Sequence, residues 1–128
     1  MSIENKTVTV NGTEFEIEQF GGKQGSRLFK RVLKIVSPVM PLLFEAYQEE
    51  GALVGLFGYA GEIFDMFDDE LIDSLLSRTT KGKYAIDFDK DFAGEVDTLV
   101  LLLMEVIKFN WGKSLANLLQ EIPNVLQG

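Results

Sequence analysis

Four stretches of this chain hold residues that could do chemistry. Asp87, Asp89 and Asp91 stand at alternate positions, as the oxygen ligands of a calcium loop do. Glu49-Glu50 and Asp68-Asp69 are paired carboxylates of the kind that can share acid–base work. Gly21-Gly22-Lys23-Gln24-Gly25-Ser26 sets glycines around a lysine, as phosphate-cradling loops do. Each falls short on spacing or context. Counted from Asp87, a calcium loop needs glycine at its sixth place and a bidentate glutamate at its twelfth, and this chain has Phe92 and Thr98 there. The carboxylate pairs fall at expected helix ends, where acids serve as caps and dipole partners. The glycine stretch lacks the Walker spacing. With no histidine and no cysteine, the chain also lacks thiolate nucleophiles, disulfides, most zinc and haem ligation, and the commonest general base near neutral pH. These residues describe a protein that binds and does not catalyse, with neither cofactor nor metal.

The elements that must carry such binding can be read from pattern. At 128 residues and 46% hydrophobic content the chain closes one core, so a single domain over 1–128 is expected. Thr7 to Val10, Asn11-Gly12 and Thr13 to Ile17 form a hairpin signature spanning about 6–18, because Asn-Gly accepts the positive φ angles of a type I′ turn. Pairing Val10 with Thr13 and Val8 with Phe15 puts Val8, Val10, Phe15 and Ile17 on one face, with Thr7, Thr9, Glu14 and Glu16 on the other. Two strands alone are marginal in water, so that apolar face must lie on helices or the hairpin must pair with another chain's edge.

Helices are expected at about 26–36, 38–50, 52–66, 69–78, 92–109 and 113–121, followed by a frayed tail at 123–128. The first starts from Ser26 as N-cap and sets Leu28, Val32, Ile35 and Val36 opposite a basic face of Lys23, Arg27, Lys30, Arg31 and Lys34. That face is a solvated surface, a protein contact or a membrane contact. Residues 51–67 alternate bulky apolar side chains with glycines, so this helix is either packed very closely or only marginally ordered. Asp68 or Asp69 caps the next helix, which ends near a loop at Thr79 to Gly82. Tyr84 to Ile86 reads as a brief strand. From Phe92 to Phe109 apolar residues cover most of the helix circumference, which makes it the central helix or an interface; Asn110 and Gly112 read as its left-handed stop and Trp111 as a packing anchor. The fold class is α+β, mainly α-helical with an N-terminal β-hairpin.

Charge and hydropathy set the partners. The net charge of −8 disfavours nucleic acid, whose binding relies on Lys and Arg displacing counterions. Residues 21–40 carry five bases and no acid, whereas 41–77 carry nine acids and no base, so opposite blocks can meet within one chain or between copies, and a homo-oligomer is expected. The start of the chain lacks a signal-peptide core, and no apolar run reaches the roughly 20 residues that span a bilayer, so a cytosolic protein with no membrane partner is expected.

Phe88, Asp89, Phe92 and Gly94 form an FD-x-x-F-x-G opening, and the apolar helix behind it ends in Phe109-Asn110. This pattern resembles the small tail assembly chaperones of long-tailed bacteriophages, and the similarity extends more loosely to the hairpin, the basic helix and the middle helices. The resemblance implies a protein of the host cytoplasm that binds the long, helical, aggregation-prone tape measure protein, keeps it soluble and helps deliver tail tube subunits, with several copies on each client. In many relatives a ribosomal frameshift also yields a longer product. Leu53, Leu56, Phe57, Phe64, Phe67, Leu99, Leu102, Leu103 and Val106 are the residues expected to form a client or oligomer surface. A reading from another class is a small acidic phage-encoded inhibitor, or DNA mimic, that occupies a basic site on a host enzyme.

Overall fold

The computed structural model describes residues 3–39 and 60–127, with backbone alone from residue 119 onward. Strands β1 (Asn5–Val10) and β2 (Thr13–Glu18) form the hairpin in the expected register, Val8 opposite Phe15 and Val10 opposite Thr13. Asn11 and Gly12 take φ of 48° and 84°, the left-handed pair that a type I′ turn demands. The hairpin continues into a four-stranded antiparallel sheet of order β1-β2-β3-β4, where β3 is Thr79–Lys81 and β4 is Tyr84–Ala85. Residues 79–81 are therefore strand and not loop: Glu16 and Ile17 pair with Thr80 and Thr79, and this non-local pairing supplies what the local turn signal did not show.

Helix α1 runs Gly22–Val36 and buries Gly25, Leu28, Val32 and Val36. It starts four residues before the expected 26, with Gly21 as N-cap and no side-chain cap, so Ser26 lies inside the helix. The early start lets Gly25 approach the Phe20 side chain, where an added Cβ would come within 3.3 Å. Ser37–Val39 then forms a 3-10 turn. The rest of the helix expected at 38–50, and residues 52–59 of the next, lie outside the described residues. Helix α2 is Ala60–Asp65 and α3 is Asp69–Leu75. Asp68 caps α3 by accepting from the Leu71 amide at 2.8 Å, and α3 stops short of 78 because the chain turns into β3.

The helix expected from Phe92 is two elements. Helix α4 is the single turn Phe88–Asp91, and Gly94 at φ 71° breaks it from α5, Val96–Gln127. Helix α5 also runs through the expected stop at Asn110-Trp111-Gly112, absorbs the separate helix at 113–121, and continues past Pro123 in place of a frayed tail. A single proline removes one amide donor and does not by itself end a helix. One local bond and two contacts with Phe20 accompany the passage through Asn110. Its side chain donates to the Val106 carbonyl at 3.0 Å and accepts from the Phe20 amide at 3.0 Å, and Trp111 stacks on Phe20 with ring centres 5.8 Å apart.

The core lies where α5 contacts β1, α2 and α3. Val8, Val10, Phe15 and Ile17 face it from the hairpin, Ile63 from α2, and Leu71 and Leu75 from α3. The hairpin's apolar face is thus covered by helices of its own chain. Two glycines give opposite expectations. Gly94→Ala should destabilise the fold by about 1–2 kcal/mol, since the left-handed region is costly for any Cβ. Gly61→Ala, in α2 with open space around its Cβ position, should be neutral or stabilising by up to about 1 kcal/mol. Urea unfolding of both variants checks the pair.

Candidate functional site

The FD-x-x-F-x-G stretch is a compact, self-capped turn. Asp87 accepts from the Lys90 amide at 3.2 Å, while Asp91 accepts from the Asp87 amide at 2.7 Å, so each carboxylate satisfies a backbone donor of the other's turn. Lys81 adds an ion pair to Asp91 at 3.2 Å. The Asp87 amide, foremost, and Lys81 hold the Asp91 carboxyl below its ordinary 3.8 against the opposing pull of burial. Phe92 is buried, with its ring 6.3 Å from Phe15 on the sheet and 5.8 Å from Phe88. The motif therefore pins α4 to the sheet and aims the chain into α5.

Two asparagines fix α5 at both ends of the hairpin layer. Asn11, at the hairpin turn, donates to Thr98 Oγ1 at 2.9 Å and to Asp97 at 3.2 Å. Asn110 holds the Phe20 amide as described above, while Phe29 packs against Trp111 at 5.8 Å. Phe109 packs half-buried against the core. The family-like residues Phe88, Phe92, Gly94, Phe109 and Asn110 thus have packing, turning or anchoring roles, and only Asp89 of the set projects a charge with no partner among the described residues.

The proposed client or oligomer surface divides. Phe67, Leu102, Leu103 and Val106 are buried in the core, which corrects their assignment to a surface: periodicity showed an apolar circumference but not that the sheet and α2–α3 cover it. Leu53, Leu56 and Phe57 lie outside the described residues. Phe64 and Leu99 are half-buried and line one groove of about 410 Å³ together with Ile72, Phe88 and Val96. Its rim carries Asp69, Asp73 and Asp89. Val96, in the first turn of α5, is 57% exposed, and Met66 after α2 is 40% exposed. Sequence reasoning missed Ile72, Val96, Asp69 and Asp73. A usable signal was present: Asp69, Ile72 and Asp73 share a helix face at i, i+3 and i+4, inside a block of acids with no base.

Charge is divided across α3. Asp68 and Glu70 both lie 3.6 Å from the Arg31 guanidinium of α1, one contact between the basic and acidic blocks. The side chains of Asp69 and Asp73 have no ion pair or hydrogen bond among the described residues. On the basic face, Lys23, Arg27, Lys30 and Lys34 are exposed, and Arg31 is half-buried. Among the described residues no cluster of acids is placed to hold a metal ion, and no helix is long and apolar enough to cross a membrane.

Compared with known proteins, residues 11–121 match the family model described as phage tail assembly chaperone protein, TAC. The chain belongs to that family. The match begins at the hairpin turn and covers β2 to β4 and every described helix except the end of α5, so the matched region includes the groove and all of the sheet but β1. No curated protein and no solved structure matches the chain.

Two substitutions test how this tail assembly chaperone holds its site. Asn110→Ala leaves the Phe20 amide without its acceptor and should lower stability by about 1–2 kcal/mol in denaturant titration. Asp91→Ala should lower stability by about 1 kcal/mol near neutral pH. Because the folded-state carboxyl lies below its ordinary value, its contribution is present above that value and is lost as pH falls through the folded one. The difference between Asp91→Ala and the parent should therefore narrow below pH 3.8, as thermal melts across pH would record.

Proposed function

We propose that this tail assembly chaperone binds the tape measure protein in the host cytoplasm, keeps it soluble and assists tail tube assembly around it. Several copies act along one client. The observation that carries this reading is the family match over residues 11–121, and the open apolar groove beside the core of the described residues supports it. A protein that holds a long helical client needs apolar surface outside its own core, and burying such surface provides affinity that salt does not screen. The work is binding: the chain has no histidine, cysteine or nucleotide-binding loop to drive turnover.

Coexpression with the cognate tape measure protein is the direct test. The expected result is a soluble complex that forms without ATP or metal, survives moderate salt, and contains more than one chaperone per client by mass. An insoluble tape measure protein under every salt condition would overturn the reading, the more so if the chain instead captured a basic host protein and released it steeply with salt, as a DNA mimic would.

A further inference from the structure

We propose that the groove between α2, α3, α4 and α5 seats a client helix whose apolar stripe is flanked by Lys or Arg. This rests on the chaperone reading and adds the place and the chemistry of the contact. The floor is apolar, formed by Phe64, Ile72, Phe88, Val96 and Leu99. They come from four separate elements, so the surface is a built trough and not one helix face. A helix presenting apolar residues at i, i+3, i+4 and i+7 offers a continuous ridge for such a trough.

The rim decides the charge of the occupant. Asp69, Asp73 and Asp89 stand around the trough without a cationic partner among the described residues, whereas neighbouring Asp68 and Glu70 are turned to Arg31. Carboxylates left unpaired beside an apolar floor favour cations flanking the incoming stripe and repel acids, so they select the partner as well as attract it. The chain's own segments fit poorly. Residues 40–59 are apolar but hold three acids and no base. Helix α1 is basic, but its apolar side is already directed into the core through Leu28, Val32 and Val36. A partner that is both apolar and basic along one helix satisfies floor and rim together.

The test uses the full chain and two synthetic amphipathic helices of about 18 residues, identical in their Leu stripe and flanked by Lys in one and Glu in the other. Fluorescence anisotropy reads binding. The parent should bind the Lys-flanked probe at least about 10-fold more tightly than the Glu-flanked one. Asp73→Lys combined with Asp89→Lys should invert that preference, and Val96→Ser should weaken both probes. All three positions are exposed, so the fold should survive, as circular dichroism would verify. Equal binding of both probes by the parent, or a preference unchanged in the double variant, would overturn the proposal. So would a parent that binds neither probe while Val96→Ser lowers its mass in solution, an outcome that gives the groove to a second copy. The two readings separate in the coexpression assay. If the groove variants solubilise the tape measure protein as well as the parent does, the groove assignment falls and the chaperone reading stands. If the probes behave as expected but the parent never solubilises the tape measure protein, the groove stands and that client is wrong.

Discussion

Helix α5 carries Leu102, Leu103, Met104, Val106 and Ile107, all but completely removed from water. Successive residues on a helix are about 100° apart, so three buried neighbours in a row already span more than half the circumference. Fully burying each such side chain contributes on the order of 2 kcal/mol, and no single layer can cover them all. The sheet closes one side, and α2 and α3 close another. The hairpin by itself has too little core to be stable, and α5 by itself has too much apolar surface to be soluble, so each makes the other possible.

Polar bonds then fix how the layers meet. Apolar packing alone would tolerate α5 sliding along the sheet, because hydrophobic contact is not directional. Asn11 at the hairpin turn holds the first turn of α5 through Thr98, and Asn110 holds the connector ahead of α1 through the Phe20 amide. The separation between these two anchors sets one register. It also places the first turn of α5 at the edge of the core, beside the self-capped α4 turn. There Val96 and Leu99 are left incompletely covered and the groove opens.

Features decided locally were legible in the sequence. Asn11-Gly12 specified the turn, and alternation then fixed which hairpin residues face the core, as the pairing of Val8 with Phe15 bears out. A cap at Asp68 or Asp69 was equally direct, with Asp68 the one that forms it, and so were the segregated faces of α1. The features that escaped depend on partners far along the chain. Asn110 and Gly112 have the chemistry of a helix stop, but a bond to residue 20 and a Trp111 stack make them helix interior. Thr79 and Thr80 look like a loop until β2 offers them an edge. Periodicity showed that Leu102, Leu103 and Val106 were apolar without showing what covers them. The groove was the hardest feature to read, since four elements contribute to it and each gives only one to three residues.

With Leu102, Leu103, Met104, Val106 and Ile107 buried within one chain, a client seated at the groove as proposed would leave the α5 core unopened. Hydrogen–deuterium exchange on the free chaperone and on its complex with the tape measure protein tests this most directly. Amides at 102–107 should be strongly protected in the free chain and unchanged in the complex, while new protection should appear at 64–73 and 88–99. Fast exchange at 102–107 in the free chain, with protection gained there on binding, would contradict it by making the apolar helix itself the client surface.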